Sequence, residues 1–266
     1  MTATSLLVVA ALLVGVTIGA VGIGGVFLAP ALILIGEVEP HQATAISLIA
    51  FTLTGVVSAA LHLRDDAVPR VLTRNLAAGL LPGAFAGGWL SGRIPAAVIL
   101  AALSGCCLAS ALWTLTRARG PRPGNTAATG DQAARGGRAG RADLGAPSAA
   151  AIGLVVGFGS AVTGTSGPVL LTPILIALRL PTWRVIVVGQ VIQVVVTPAG
   201  ALGHLARARP DLGLTAVLGA ATAAGAAIGI WGMRRLRPPD ALLRDLVTAL
   251  LAVTGVLVAI RLAGAL

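Results

Sequence analysis

Apolar residues run in ten segments, near 5–20, 26–36, 41–63, 72–90, 95–116, 148–162, 168–179, 182–205, 211–231 and 241–262, with charged residues held to the gaps and edges. A helix needs about 20 predominantly apolar residues, and no fewer than about 17, to cross a typical hydrocarbon core. The longer segments meet that requirement. The leading two of each set of five are short and separated by glycine, which predicts discontinuous half-helices: a re-entrant hairpin or one broken helix. The pattern predicts an all-α polytopic integral membrane protein.

Composition sharpens this picture. The hydrophobic set makes up 56% of the 266 residues and charged residues 11%, against about 45–50% and about 25% in soluble domains. A water-soluble enzyme or binding module of the usual kind is therefore excluded. Thirty-five glycines and only 3% aromatics suit helices that approach closely in a bilayer. The formal charge of +10 comes from arginine with no lysine, and it reads as membrane-surface charge facing lipid headgroups rather than as a nucleic-acid interface. Cys106 and Cys107 are adjacent in an apolar run and read as packing, not as a metal site. The stretch Met1 to Ala20 lacks a basic flank, so it is expected to remain in the mature protein.

One polar break, 117–147, carries Arg117, Arg119, Arg122, Arg135, Arg138 and Arg141 among Gly, Pro, Ala and Thr. It buries little and reads as a flexible cytoplasmic loop. It divides a first membrane repeat, 1–116, from a second, 148–266. Pro30 matches Pro173 at an offset of 143, while Ser58-Ala59-Ala60-Leu61-His62-Leu63 matches Gly200-Ala201-Leu202-Gly203-His204-Leu205 at 142. Gly83 and Gly87 match Gly225 and Gly229 at 142, and Pro95 matches Pro238 at 143. If each half crosses an odd number of times, 15 arginines fall on the cytoplasmic side and 4 outside. The positive-inside rule favours this arrangement over an even count, and it predicts two inverted-topology repeats with both termini outside. Inverted repeats around broken segments are the architecture of alternating access.

The candidate chemistry lies in the glycine breaks. Gly22, Gly24 and Gly25, and in the second half Thr165, Ser166 and Gly167, precede expected helix starts at Val26 and Pro168. Free amides at such starts create a partial positive charge that binds an anion without a basic side chain. Simple packing of crossing helices is the plainer reading of the same glycines. Ser160 and Thr163 add hydroxyls. Gln190 and Gln193 share a helix face in an apolar run and turn inward, either to a pore or to a neighbouring helix. Thr44, Ser47, Thr52, Thr54 and Ser58 are small hydroxylated residues of the first half. His62 and His204 end equivalent segments, where they either gate an anion or proton path or mark the aqueous boundary. All nine carboxylates lie in loops or at their edges, which disfavours a carboxylate proton relay or cation site. No nucleophile elbow, zinc motif or Walker sequence is present, so neither an enzyme nor a cofactor is expected.

Gly22-Ile23-Gly24-Gly25-Val26-Phe27-Leu28-Ala29-Pro30, followed by Pro40-His41-Gln42-Ala43-Thr44-Ala45-Ile46-Ser47, Gly55 to His62 and Leu81-Pro82-Gly83-Ala84-Phe85-Ala86-Gly87, resembles the sulfite exporter TauE/SafE family over nearly the whole chain. The resemblance implies a multi-pass bacterial inner-membrane permease that exports sulfite, organosulfonates or other small sulfur-containing anions. It implies a secondary transporter working by alternating access, with an anion-selective channel as the alternative. It places the family's first signature on Gly22, Gly24, Gly25 and Pro30 and its second on Gly164, Ser166, Gly167, Pro168 and Pro173. At Thr182-Trp183-Arg184 the second half departs from Pro40-His41-Gln42-Ala43. Proton or sodium coupling and homo-oligomerisation are left open.

Overall fold

Backbone polar groups in a bilayer must be satisfied within the segment, so Ala-, Leu- and Val-rich stretches bounded by Gly, Pro and Arg become helices. A computed structural model describes residues 3–62, 68–93, 145–178, 180, 182–206, 208–236 and 239, with isolated positions in 101–112 and 242–260. Its helices are α1 (Ala3–Val21), α2 (Leu28–Ile35), α3 (Pro40–His62), α4 (Arg70–Leu90), α5 (Ala146–Thr163), α6 (Pro168–Ala177), α7 (Thr182–Leu205) and α8 (Leu212–Leu236). Short 3₁₀ turns, Gly25–Phe27 and Ser91–Arg93, precede α2 and follow α4. The protein is an all-α, polytopic membrane protein, and among the described residues there is no strand. Among the described residues, five helices are long and apolar enough to cross a membrane: α1, α3, α5, α7 and α8. Cys106, Cys107, Arg207, Pro95, Pro238 and residues 117–144 of the central loop lie outside the described residues.

Glycine faces set the packing, and the order of the contacts sets helix direction. Gly79, Gly83 and Gly87 of α4 rest on the backbone of Ala150, Leu154 and Phe158 of α5. Both series ascend together, so these helices run parallel. Gly225 and Gly229 of α8 rest likewise on Leu12 and Val16 of α1. Thr222 reaches the Ala50 carbonyl, and Arg234 donates to the Leu61 carbonyl at 2.6 Å, so α8 also runs parallel to α3. Gly55 of α3 instead abuts Gln193 and Val194 of α7, while Thr52 bonds Thr197 at 3.3 Å, an antiparallel crossing. Gly88 lies against Gly200, and Ser91 against His204, placing α4 parallel to α7. Thus α1, α3 and α8 point one way, and α4, α5 and α7 the other.

Helix α7 sits at the centre. Val185, Val188, Ile192 and Val196 pack with Leu76, Leu80, Leu171 and Leu175 in one apolar cluster. Exposed Leu13, Val155, Leu202 and Trp231 cover the outer surface, where lipid is an apolar solvent for them. Trp89 carries Arg93 over its ring at 5.2 Å, and Trp231 carries Arg235 at the same distance. This is the pairing of aromatic and cation that anchors helices at the headgroup level.

Candidate functional site

Both breaks begin at a helix end that only glycine closes without strain. Gly22 (φ 77) follows α1, and Gly164 (φ 69) follows α5, each in the left-handed region. The chain then restarts differently in the two halves. After Gly167 (φ 93), α6 begins directly with Pro168 at a position where its missing N–H costs no bond. In the first half α2 begins at Leu28 rather than at Val26, because a 3₁₀ turn intervenes with the Phe27 N–H on the Gly24 carbonyl at 3.1 Å.

The two breaks meet. A Cβ on Gly25 would lie 2.7 Å from the Ser166 Cβ and 3.0 Å from its backbone nitrogen, so residue 25 of one half is pressed against residue 166 of the other. Gly22 faces Ile186 of α7, Gly164 faces Thr44 of α3, and Gly167 faces Val196 of α7. Gly24 touches Thr17 and the Val14 carbonyl of its own half. Thr165 is buried, with its hydroxyl 3.1 Å from that of Thr163 and its N–H on the Ser160 carbonyl at 3.0 Å.

Several buried polar atoms of the second break and of the helices α3, α5 and α7 have no protein partner: Ser166 Oγ, both ends of the Gln193 amide, Ser160 Oγ, Ser47 Oγ and Ser58 Oγ. Ser166 and Gln193 are both fully buried. An orphaned buried polar atom costs about 1–3 kcal/mol, so Ser166 Oγ and the Gln193 amide call for a polar partner, ordered water or ligand, beyond the protein itself. Among the described residues the buried polar side chains are Ser, Thr, Gln and His, with no buried carboxylate or arginine. The field at the junction is therefore set by backbone dipoles and amides, a setting suited to an anion.

The two glutamines predicted together have different roles. Gln190 Nε2 donates to the Ile18 carbonyl at 3.0 Å and to the Gly19 carbonyl at 2.7 Å, tying α7 to the last turn of α1 and leaving only its Oε1 without a partner. Gln193 lies one turn on, against Gly55, with both ends uncommitted. Replacing Gln190 by Leu is expected to destabilise the fold by about 1–3 kcal/mol, since two buried carbonyls lose donors. Thermal unfolding in detergent measures the loss, and an unchanged midpoint would remove the tether.

His62 and His204, in the last turns of α3 and α7, are both buried against the protein, at 8% and 3% exposure. His204 Nε2 is 2.8 Å from the Ala161 carbonyl, and its Nδ1 is 3.4 Å from Ser91 Oγ. Sequence reasoning missed Ala161 and Ser91, because an alanine carbonyl and a serine just past a helix carry no signal until the fold brings them to the imidazole. Gly55 was legible as the start of a family stretch, but its contact with Gln193 was not.

A groove of about 510 Å³ between α3, α7 and α8, lined by Ile49, Leu53, Pro198, Leu202, Leu205 and Leu212 among others, is apolar and includes neither break. It offers an anion little to bond. No group of three His, Cys, Asp or Glu suited to a metal occurs among the described residues.

Comparison with known proteins gives one family. The sequence model described as Sulfite exporter TauE/SafE matches residues 7–258. No curated protein and no solved structure matches the chain.

Proposed function

Since the chain belongs to the sulfite exporter TauE/SafE family, we propose that the junction of its two glycine breaks is the site where a small anion is held during transport. Membership makes the protein a multi-pass secondary transporter of the bacterial inner membrane for anions such as sulfite, and not an enzyme. The observation that carries the site is the unpartnered, fully buried Ser166 hydroxyl pressed against Gly25, with the uncommitted Gln193 amide in the adjoining helix. In this reading Ser166, Thr165 and Gln193 supply hydrogen bonds, and the backbone around Gly22, Gly24, Gly25 and Gly167 lets the anion approach amides that no Cβ covers. Gln190 fixes the end of α1, and with its Nε2 so committed it has no hydrogen left that is aimed at an anion.

The mechanism is alternating access between two inverted repeats, 1–116 and 148–266. Support comes from matched contacts. Gly83 on Leu154 and Gly225 on Leu12 exchange under an offset of 142, as do Gly87 on Phe158 and Gly229 on Val16. Trp89 with Arg93 corresponds to Trp231 with Arg235 at that same offset. The corresponding helices α1 and α5, α3 and α7, and α4 and α8 point in opposite directions by their contact registers. Helix-end glycines Gly22 and Gly164 correspond at 142, whereas the restarts after Gly24 and Gly167 correspond at 143, so the second break is one residue longer. The re-entrant reading is supported by Gly36, which follows α2 and where an added Cβ would lie 3.1 Å from Leu7 Cδ1 near the start of α1. Two hairpins entering from opposite faces and meeting at their tips form a site that either face can reach in turn.

The test is anion flux into proteoliposomes holding purified protein. Saturable sulfite or sulfonate uptake is expected, and Ser166→Ala is expected to raise the half-saturating concentration about 10- to 150-fold, the worth of one hydrogen bond to a charged group. An unchanged half-saturating concentration in a folded variant removes Ser166 from the site. A non-saturating current with both faces open would point to a channel instead.

A further inference from the structure

Each break is tied to α7 by a side chain that bonds the last carbonyls of the helix before it, and the two ties differ in one chemical respect. At the first break the donor is Gln190, on the Ile18 and Gly19 carbonyls. At the second it is His204, on the Ala161 carbonyl. That same carbonyl receives the N–H of Gly164, the left-handed residue that closes α5 and opens the break. Along α7 the two ties are about 21 Å apart, so a single helix holds both breaks. An amide never titrates, whereas an imidazole does so near neutral pH.

The surroundings of His204 accommodate both of its protonation states. The Ala161 carbonyl only accepts, so Nε2 carries a hydrogen in either state. In the neutral ring Nδ1 is an acceptor, and Ser91 Oγ can turn its hydrogen toward it across 3.4 Å. In the imidazolium Nδ1–H donates to Ser91 Oγ, which then gives its own hydrogen to the Gly88 carbonyl at 2.9 Å. The added proton displaces no bond partner. It places a positive charge at the C-terminal, negative end of the α5 dipole, strengthens the bond to Ala161, and sits three residues before the break that carries Thr165 and Ser166. Among the described residues, few charged and titratable groups lie around it. His41, exposed at the start of α3, is a like-charge neighbour that opposes the added proton when it is itself charged. Arg93 follows α4 and stacks on Trp89, α5 carries none, and Arg209 and Asp211 lie just past the end of α7.

We infer that His204 is a proton-binding site that sets the conformation of the second break, so that one proton taken from solvent at the end of α7 accompanies the anion. The site deepens the transport reading and rests on it. In the unprotonated state the break is held by a neutral bond. In the protonated state the stronger bond and the nearby positive charge favour the anion-loaded junction, and departure of the anion releases the proton from Nδ1 to water.

The experiment uses the full chain in proteoliposomes with methanesulfonate, whose charge does not change with pH, at about pH 5.5 and about pH 8, the range in which histidine titrates. Wild-type uptake is expected to be about fivefold faster at the acid end, the difference between a neutral and a charge-assisted bond. His204→Gln, which keeps a donor for Ala161, is expected to transport without that pH dependence and without acidifying the lumen as read by an internal dye. An unaltered pH profile in that variant overturns the inference. Because the chain has three histidines, imidazole-labelled protein gives a second readout that needs no transport. The His204 resonance, assigned by replacing His41 and His62 singly, should titrate across that range and shift its midpoint when methanesulfonate is added. A resonance that does not titrate overturns the site even if anions move, and a titrating one keeps the site even if the transport reading fails.

Discussion

Replacing Gly83 by Val is expected to unfold or misassemble the helix bundle, and replacing Gly225 by Val to do so to a similar degree. A Cβ at Gly83 would lie 2.9 Å from the Leu154 Cα and closer still to its carbonyl. One at Gly225 would lie 2.9 Å from the Val16 nitrogen and closer still to the Leu12 carbonyl. These neighbours are helix backbone, which cannot rotate aside as a side-chain tip does, so the helices must separate. Overpacking costs about 1–3 kcal/mol even in cores that adjust, and separating helices also forfeits the dispersion contacts that hold membrane bundles together. Unfolding midpoints and size-exclusion profiles in detergent measure the effect. Similar losses at the two positions fit one packing solution used twice. A wild-type midpoint at either position would show that its helix pair is looser than this packing, and a large effect at only one would break the equivalence of the two halves.

Gly25→Ala is expected to reduce anion flux at least about tenfold, a change of about 1.4 kcal/mol in the transport barrier, while leaving the protein inserted. The added methyl meets Ser166 at the junction of the breaks, where its hydroxyl and Cβ lie. In the proposed reading it would hold the two breaks apart where they must open to admit the anion. Flux and thermal stability measured side by side separate this from simple unfolding. Adding Ser166→Gly removes the colliding atoms and is expected to restore part of the lost stability but not the anion affinity, because the hydroxyl goes with them. Wild-type flux in Gly25→Ala would show that the junction is neither the binding site nor a moving part.

Much of the fold is legible in sequence because membrane insertion is a local demand. Each segment must satisfy its own backbone and match the hydrocarbon thickness, so runs such as Trp183–Leu205 and Leu212–Leu236 declare themselves one at a time. The breaks were legible for the same reason, since Gly22 and Gly164 end helices at positions where a Cβ would be strained. Less visible was how the breaks restart. A 3₁₀ turn delays α2 to Leu28, whereas Pro168 opens α6 at once, a difference decided by the turn's own hydrogen bond at Phe27.

By itself, then, the sequence determined the membrane class, the apolar segments that the described helices occupy, the positions of the two breaks, and the family whose pattern they carry, because periodicity, length and glycine geometry act within a few residues. Only the tertiary structure decided that residue 25 meets residue 166, that Gln190 serves α1 while Gln193 stays uncommitted, and that His204 bonds the carbonyl closing α5. Those pairs are separated by 43 to 172 positions in the chain. In the primary sequence each partner is an ordinary small or polar residue, and only close helix approach, which brings backbone carbonyls within reach of α7, gives it a role.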